Sequence, residues 1–248
     1  MPSTPDQHAT TKLVRKLESI ATLTDKERRA IESLPVKVRH LDARQDIVRD
    51  GDHPAHCCLV LDGWTCRYKL LSEGKRQIFS FHVAGDIPDL QSLHIHTMDH
   101  SLATVTKATV AFIPHESMRE LTAGHPNIAA LLWRDTLIDA GIFHAWMVGM
   151  GRRSAYEQVA HLFCEMYLKL QAVGLAEGYR CPMPITQVDM ADALGLTSVH
   201  VNRVLKEMRG KALITLRSNT LVIEAWDELL RAAEFDPTYL HLDRRAAA

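Results

Sequence analysis

Residues 187–206 read QVDMADALGLTSVHVNRVLK and carry residue types whose spacing is typical of a helix-turn-helix. Ala191 falls where two crossing helices leave room for only a small side chain. Gly195 follows four positions later, where a left-handed turn is inexpensive only for glycine. Val201 comes six positions after that, on the inner face of a second helix. A plain αα-hairpin is the alternative, but it does not require these residue types at these offsets. The spacing predicts two short helices, the second of which enters the major groove of DNA.

The outer surface of the second helix supplies the candidate DNA contacts, which are short near its start and basic further along. They are Ser198, Val199, His200, Asn202, Arg203 and Lys206. Thr197 or Ser198 can cap this helix, because a hydroxyl there accepts a backbone N–H that has no partner within the helix.

Charge is concentrated in the same region. The chain has a net charge of −1, so it carries no global basic field. Residues 196–223 contain five basic residues and one acidic residue, which makes +5 − 1 = +4. They are Arg203, Lys206, Arg209, Lys211 and Arg217 against Glu207. We expect DNA affinity to come from this local patch.

Composition excludes several other classes of protein. The chain has 248 residues, 46% of them hydrophobic, and five cysteines, an odd number that does not suggest a disulfide framework. The start shows no apolar signal region, and the most apolar long stretch, 128–150, carries three charges, so we expect a cytoplasmic protein without a membrane partner. There is no glycine-rich phosphate loop, no G-x-S-x-G elbow and no zinc-protease signature, so we predict that it is not an enzyme.

The order of the elements predicts an α+β fold. Two short helices precede residue 35. Short β-type runs separated by glycines fill 36–114 and indicate an antiparallel barrel or sandwich. From Pro126 the apolar residues recur at helical spacing over about six turns. ALITLRSNTLVIEA then predicts a hairpin, a wing, whose turn is Arg217-Ser218-Asn219.

The long helix has more apolar surface than a small barrel can cover, so we expect it to pair with its twin in a homodimer. Packing only within its own subunit is the alternative. The residues predicted to line the dimer interface are Leu131, Ile138, Ile142 and Trp146. Gly149, Gly151 and the pair Arg152–Arg153 mark a hinge after this helix.

Barrel, long helix, hinge and winged helix-turn-helix, in this order, resemble the Crp/Fnr family of bacterial transcription regulators. EGKRQIFSFHVAGD (73–86), LVLDGWTCRYK and the stretch from PITQVDM onward carry the resemblance, which covers about residues 25–225. It implies an N-terminal β-roll like a cyclic-nucleotide-binding jelly roll, a dimerisation helix and a C-terminal winged helix-turn-helix. The expected divisions are 1–24 (tail and first helix), 25–125 (β-roll sensor), 126–151 (dimerisation helix and hinge), 152–227 (DNA-binding domain) and 228–248 (helix and tail).

The effector site is where this chain departs from the family. Cyclic-nucleotide-binding members hold the ribose with a glycine–glutamate pair and the phosphate with an arginine–serine pair. Here Pro88 and Asp89 stand near the first pair, and His100 replaces the arginine beside a retained Ser101. A phosphate prefers a permanently charged bidentate donor, and histidine is mostly neutral at pH 7. Asp89, His100 and Ser101 are therefore candidates for an altered effector pocket, and we predict no cofactor.

Three other signals stay open. A cyclic nucleotide remains one alternative. Haem or a metal held by His94, His96 and His100 is a second, although H-x-H in a loop without further ligands is a weak pattern. Thiol control through Cys164 or Cys181 is a third. The iron–sulfur members of the family need cysteines near the N-terminus, and none precedes Cys57 here.

The resemblance implies how DNA would be bound. Two copies place their second helices about one turn of DNA (~34 Å) apart on a palindrome. Arg203 stands at the family's arginine position and is our first choice for reading a base, whereas Val199 stands where the family has a glutamate. The expected phosphate contacts are Thr186, Gln187, Ser218 and Asn219. RNA polymerase is the further partner that the family implies. The rival hypothesis is a sensing or scaffold protein whose DNA module has decayed.

Overall fold

The structure is a computed structural model that describes residues 9–242. These residues form two compact units, one comprising 9–70 and 79–137 and the other 71–78 and 138–242. The tail predicted at the N-terminus lies mostly, and the final DRRAAA wholly, outside the described residues. Within residues 9–242, no helix is both long enough and apolar enough to cross a membrane.

The first unit begins with two short helices, α1 (Thr11–Glu18) and α2 (Asp25–Glu32). Thr24 caps α2, and the Glu27 carboxylate accepts the Thr24 N–H in return, which is the reciprocal pattern of a capping box. Seven strands follow along the chain, with a 3₁₀ turn at Leu90–Leu93 and helix α3 (His115–Gly124). The fifth strand begins with residues 76–78 of the second unit. The strands are β1 (Lys37–Leu41), β2 (Asp46–Val48), β3 (His56–Asp62), β4 (Thr65–Leu70), β5 (Arg76–His82), β6 (Ser101–Thr104) and β7 (Ala108–Pro114).

These strands form two sheets with the orders β1-β7-β3 and β2-β6-β4-β5. Both neighbours of β7 run antiparallel to it, and so do both neighbours of β6. Alternate side chains of each strand point inward, so apolar residues of the two sheets meet in one core. Five buried members of that core are Val48, Cys58, Met98, Leu102 and Val110. The predicted antiparallel β-roll is confirmed.

Helix α4 (Pro126–Arg152) is 27 residues long, which confirms the long helix. The residues predicted to line its dimer interface are buried within the single chain. Leu131, Ile138, Ile142 and Trp146 are all 4–7% exposed in a single chain, so little of their surface remains for a second copy. Other apolar side chains of α4 face solvent, namely Trp133, Leu137, Met147, Val148 and Met150.

The predicted hinge residues are divided between α4 and the segment after it. Gly149 and Gly151 lie inside the helix, whereas the helix ends at Arg152, and Arg153 and Ser154 are not helical. Ser154 caps α5 (Ala155–Ala172) through a capping box with Glu157. A hydroxyl N-cap therefore marks the start of the next helix.

The second unit continues with β8 (Arg180–Pro182), α6 (Gln187–Leu194), α7 (Ser198–Gly210), β9 (Ile214–Arg217), β10 (Thr220–Ile223) and α8 (Trp226–Ala233). A 3₁₀ turn at Pro237–Leu240 follows. The strands form a sheet of order β8-β10-β9, so the predicted hairpin gains a third strand. Ser218 and Asn219 make its turn with φ of 48° and 58°, the geometry of a tight two-residue hairpin turn.

Gly63, in the turn between β3 and β4, provides a test of the β-roll. Its φ is +82°, and a Cβ there would lie 2.3 Å from the Lys107 carbonyl oxygen. We expect Gly63→Ala to lower the free energy of unfolding by about 1–3 kcal/mol more than Gly51→Ala, because a methyl group must displace backbone at Gly63. Gly51 is the matched control, since its φ is +89° and a Cβ there meets no atom within 4 Å. Chemical denaturation of both variants measures this difference, and equal losses would contradict the close approach.

Candidate nucleic-acid interface

Helix α6 is fixed at both ends by local hydrogen bonds. At its start the Thr186 hydroxyl accepts the Asp189 N–H at 3.1 Å, and the Asp189 carboxylate accepts the Thr186 N–H at 3.0 Å. At its end Gly195 has φ 66°, and the Leu196 N–H donates to the Ala191 carbonyl at 3.0 Å. Gly195 thus supplies the left-handed turn residue that the spacing predicts.

Helix α7 begins at Ser198, and Thr197 is its N-cap, since the Thr197 hydroxyl accepts the His200 N–H at 3.2 Å. Its inner face is apolar and buried, with Val201, Val204, Leu205 and Met208 between 0% and 4% exposed. Its outer face is accessible. Ser198, Val199, Arg203 and Lys206 are exposed, while His200 and Asn202 are half-buried. The side chains predicted to read DNA therefore share one open face.

The predicted phosphate contacts lie at two other places in the same unit. Thr186 and Gln187 are at the start of α6, where backbone N–H groups and the helix dipole favour an anion. Ser218 and Asn219 are exposed at the tip of the wing. The Thr186 hydroxyl donates its only proton to Asp189 at 2.7 Å.

The charge of residues 196–223, which contain α7 and the wing, agrees with an anionic partner. Lys211 pairs with Glu207 at 2.8 Å, so one positive and one negative charge of the region 196–223 compensate each other. The other basic side chains of that region, Arg203, Lys206, Arg209 and Arg217, are exposed. An exposed guanidinium can form two parallel hydrogen bonds to a phosphate or to the edge of guanine.

In the β-roll, Asp89 is fully buried. Its Oδ1 accepts the Cys58 N–H at 2.7 Å, whereas its Oδ2 has no hydrogen-bond partner among residues 9–242. Burial raises the pKa of Asp89 to about 6, although the Cys58 N–H and the nearby Arg67 act in the opposite direction. Asp89 thus holds the segment before the 3₁₀ turn against β3.

His100 and Ser101 are also engaged within the β-roll. His100 Nδ1 lies 2.6 Å from Asp99 Oδ1, and its Nε2 lies 3.3 Å from Gln91. Burial, together with the charge of Arg67, lowers the pKa of His100, so the ring is neutral at pH 7. The Ser101 hydroxyl accepts the Asp50 N–H at 3.1 Å. A neutral histidine does not supply the permanent charge that a cyclic phosphate prefers.

The residues proposed for haem or metal binding and for thiol control differ in their exposure. His94 and His96 are exposed, and in the described range no three His, Cys, Asp or Glu side chains form a group that could hold a metal. Cys164 and Cys181 are buried, and burial raises the pKa of each to about 12, so both thiols are protonated at neutral pH.

Two arginines outside the predicted sites form hydrogen bonds within the fold, and one of them is buried. Arg67, on β4, is 6% exposed, and its Nε donates to the Pro88 carbonyl next to Asp89. Arg76 donates to Asp189 and Asp192 of α6. The sequence could have indicated the role of Arg67, because it places an arginine inside TCRYKL, a strand that is largely buried. No local pattern indicates the contacts of Arg76, because its partners Asp189 and Asp192 lie 113 and 116 positions away in the chain.

Two family models match the chain. Residues 38–125 match the cyclic nucleotide-binding domain, and residues 157–232 match the Crp-like helix-turn-helix domain. The first match contains the β-roll strands, and the second contains α6, α7 and the wing.

Individual proteins agree with both matches. The nitrogen fixation regulation protein FixK of Rhizobium meliloti is 27% identical over 188 residues, which are 76% of this chain and 82% of that protein. The fumarate and nitrate reduction regulatory protein of Escherichia coli is 21% identical over 216 residues, 86% of this chain and 84% of that protein. The solved structure of FixK2 from Bradyrhizobium japonicum has the same fold, with a TM-score of 0.73, 24% identity and coverage of 80% of this chain and 98% of that one. With its β-roll, long helix and Crp-like helix-turn-helix in this order, the chain belongs to the Crp/Fnr family of transcription regulators.

Proposed function

We propose that this protein is a homodimeric regulator that reads a palindromic operator with α7 and responds to no cyclic nucleotide. The single observation that carries the proposal is the open outer face of α7, whose opposite face is buried in its own unit. It would act in the cytoplasm with RNA polymerase as its further partner, as its family implies. Selection of duplexes from a random pool tests the proposal directly, because a dimer enriches a palindrome whereas a decayed DNA module enriches nothing.

Base readout is assigned to the exposed side chains of α7. Arg203 is in the middle of the face and can donate two hydrogen bonds to guanine O6 and N7. Val199 is 78% exposed at the start of the helix and offers an apolar contact, which suits the methyl group of thymine. The operator should therefore differ from one read by a glutamate at this position.

Phosphate contacts are assigned to Gln187 and the wing turn at Ser218 and Asn219. The Thr186 hydroxyl has no proton left for a phosphate, since it donates to Asp189. We therefore assign Thr186 the task of shaping the start of α6, whose free N–H groups can face the backbone of DNA. These contacts set the position of the protein on the duplex without reading sequence.

The dimer contact is assigned to the exposed stripe of α4. Trp133, Leu137, His144 and Val148 follow one another at intervals of four, seven and four residues, so they lie along one side of the helix. Trp133 is 70% exposed and Leu137 is 59% exposed in the single chain. Apolar side chains exposed together mark an interaction surface, and a helix paired with its copy about a twofold axis buries the same stripe twice.

The absence of a cyclic-nucleotide response is inferred from the interior of the β-roll. The position of the phosphate arginine holds the neutral His100, and the ribose segment holds Asp89 with its bond to Cys58. A second carboxylate oxygen without a partner would repel a cyclic phosphate rather than bind it.

For base readout, we expect Arg203→Ala to cost about 1–3 kcal/mol of operator binding and to relax discrimination at one base pair in each half-site. Arg209→Ala is the control, because it removes the same charge from an exposed position later on α7. It should weaken binding to all duplexes about equally. Binding measured across single-base variants of the selected operator distinguishes the two, and an unchanged profile for Arg203→Ala would remove it from the reading role.

For the dimer, we expect Leu137→Glu to yield folded monomers with weak operator binding, because it places two carboxylates in an apolar contact. Thr136→Glu, an exposed position on the flank of the stripe, should leave the dimer intact. Sedimentation velocity measures both variants. A dimer that persists in Leu137→Glu would place the interface elsewhere.

For the β-roll, we expect Asp89→Asn to gain stability relative to the wild type as the pH rises from 4.5 to 7.5. The folded pKa of Asp89, about 6, is above the ordinary aspartate value of 3.8. The wild type therefore loses stability as the pH rises between these values, by an amount on the order of 1–3 kcal/mol. Asparagine does not titrate, and its Oδ1 still accepts the Cys58 N–H.

Chemical unfolding at several pH values measures that difference. Asp62→Asn, which makes the same substitution at an exposed position on the strand that holds Cys58, is the control. A difference between Asp89→Asn and wild type that does not depend on pH would mean that Asp89 is ionised at no cost to the fold.

A further inference from the structure

The first helix of the helix-turn-helix is held from outside its own motif. Arg76 Nη2 donates to Asp189 Oδ1 at 2.6 Å, and Arg76 Nε donates to Asp192 Oδ2 at 2.8 Å. The two aspartates are three positions apart on α6 and therefore lie on the same side of the helix. One guanidinium thus bridges two carboxylates on successive turns of α6 by a geometry that a single ammonium group cannot reproduce.

A neighbouring side chain contacts the other end of the same helix. Gln77 Nε2 donates to the Ala193 carbonyl at 3.2 Å, in the last turn of α6. That carbonyl belongs to the group that has no partner within the helix. Residues 76 and 77 together therefore hold three points along a helix of eight residues, from its N-terminal turn to its C-terminal one. Both belong to the same compact unit as α6.

Both carboxylate oxygens of Asp189 accept hydrogen bonds in this arrangement. Its Oδ2 accepts both the N–H and the hydroxyl of Thr186, and its Oδ1 accepts Arg76. The side chain is 5% exposed, and that of Arg76 is 24% exposed. Although burial opposes it, these hydrogen bonds lower the pKa of Asp189. Removal of the guanidinium leaves a buried carboxylate one bond short, at the residue that also forms the cap of α6.

The contact bears on DNA binding through charge as well as position. The sequence of α6, QVDMADAL, has two negative charges and no positive one. Its start is where we place a phosphate contact, and uncompensated carboxylates there would repel the DNA backbone. Arg76 compensates one of the two charges and shares its hydrogen bonds between both.

We propose that Arg76 is a positioning residue for operator recognition, which braces α6 and compensates part of its negative charge although it lies 113 positions before Asp189. This rests on the proposed reading of DNA by α7, because α6 sets the position of α7 through the turn at Gly195. Arg76 itself touches no base. Its loss should lower affinity for every duplex while the order of preference among bases stays the same.

The test uses full-length Arg76→Ala, Arg76→Lys and Lys75→Ala. Lys75 is the matched control, because it is the neighbouring cation, its side chain is 75% exposed, and its 2.8 Å bridge is to Glu73. Affinities are measured on the selected operator and on its single-base variants, with the active fraction fixed by stoichiometric titration. We expect Arg76→Ala to bind at least tenfold more weakly, Arg76→Lys to fall between it and the wild type, and Lys75→Ala to stay within about twofold.

A double-mutant cycle tests whether Arg76 acts on DNA binding through α6. Asp192→Ala alone removes a charge that repels phosphate, and in the Arg76→Ala background it should recover part of the lost affinity, so the two effects do not add. Additive effects would mean that Arg76 does not act through α6. If Arg76→Ala fails to fold, Arg76→Lys decides the matter, since wild-type affinity in that variant would overturn the proposal.

A readout without DNA separates this inference from the proposed function. Hydrogen–deuterium exchange over residues 187–194 should be faster in Arg76→Ala than in Lys75→Ala. If the wild type selects no operator, the proposed function fails whatever the exchange shows. If it selects one and Arg76→Ala matches it in both affinity and exchange, only the role of Arg76 fails.

Discussion

Burial of one face of α7 is the constraint on which the DNA-binding unit depends. Val201 and Leu205 are 0% and 1% exposed, and each contributes about 1.5–3 kcal/mol by its removal from water. The helix cannot turn about its axis without exposing them. Because successive side chains are separated by about 100° around a helix, this burial also dictates that Val199 and Arg203 face outward. The apolar contacts that stabilise the unit therefore also fix which side chains of α7 face solvent.

Helix α4 carries apolar side chains on two of its sides, of which only one is buried in the single chain. One side carries Ile138, Ile142 and Trp146, which pack within the chain, and the Trp146 indole N–H donates to the buried Glu165 at 3.1 Å. The other side carries Trp133 and Leu137, which are exposed. A helix that is apolar on both sides needs two partners. In a single chain the fold covers one side, and the remaining stripe is the one on which the proposed homodimer rests.

Two buried aspartates show how hydrogen-bond partners decide the direction in which the pKa of a carboxyl group shifts. Asp189 is bonded at both oxygens, by Thr186 and Arg76, and its pKa is lowered although burial acts in the other direction. Asp89 has one oxygen bonded to the Cys58 N–H and one without a partner in the described chain, and burial raises its pKa to about 6. The first is a charged brace beside the proposed DNA contact. The second is a titratable group inside the β-roll, where a family effector would bind.

Local pattern determined the elements of this protein. The spacing of Ala191, Gly195 and Val201 sufficed for the helix-turn-helix, because the helix period and the left-handed turn are properties of neighbouring residues. The alternating runs likewise sufficed for the antiparallel β-roll. Tertiary structure alone decided which apolar face of α4 is covered, since both faces have the same period and only the neighbouring elements select between them. It also decided the contact of Arg76 with α6, because a hydrogen bond between residues 113 positions apart leaves no periodic trace in the chain.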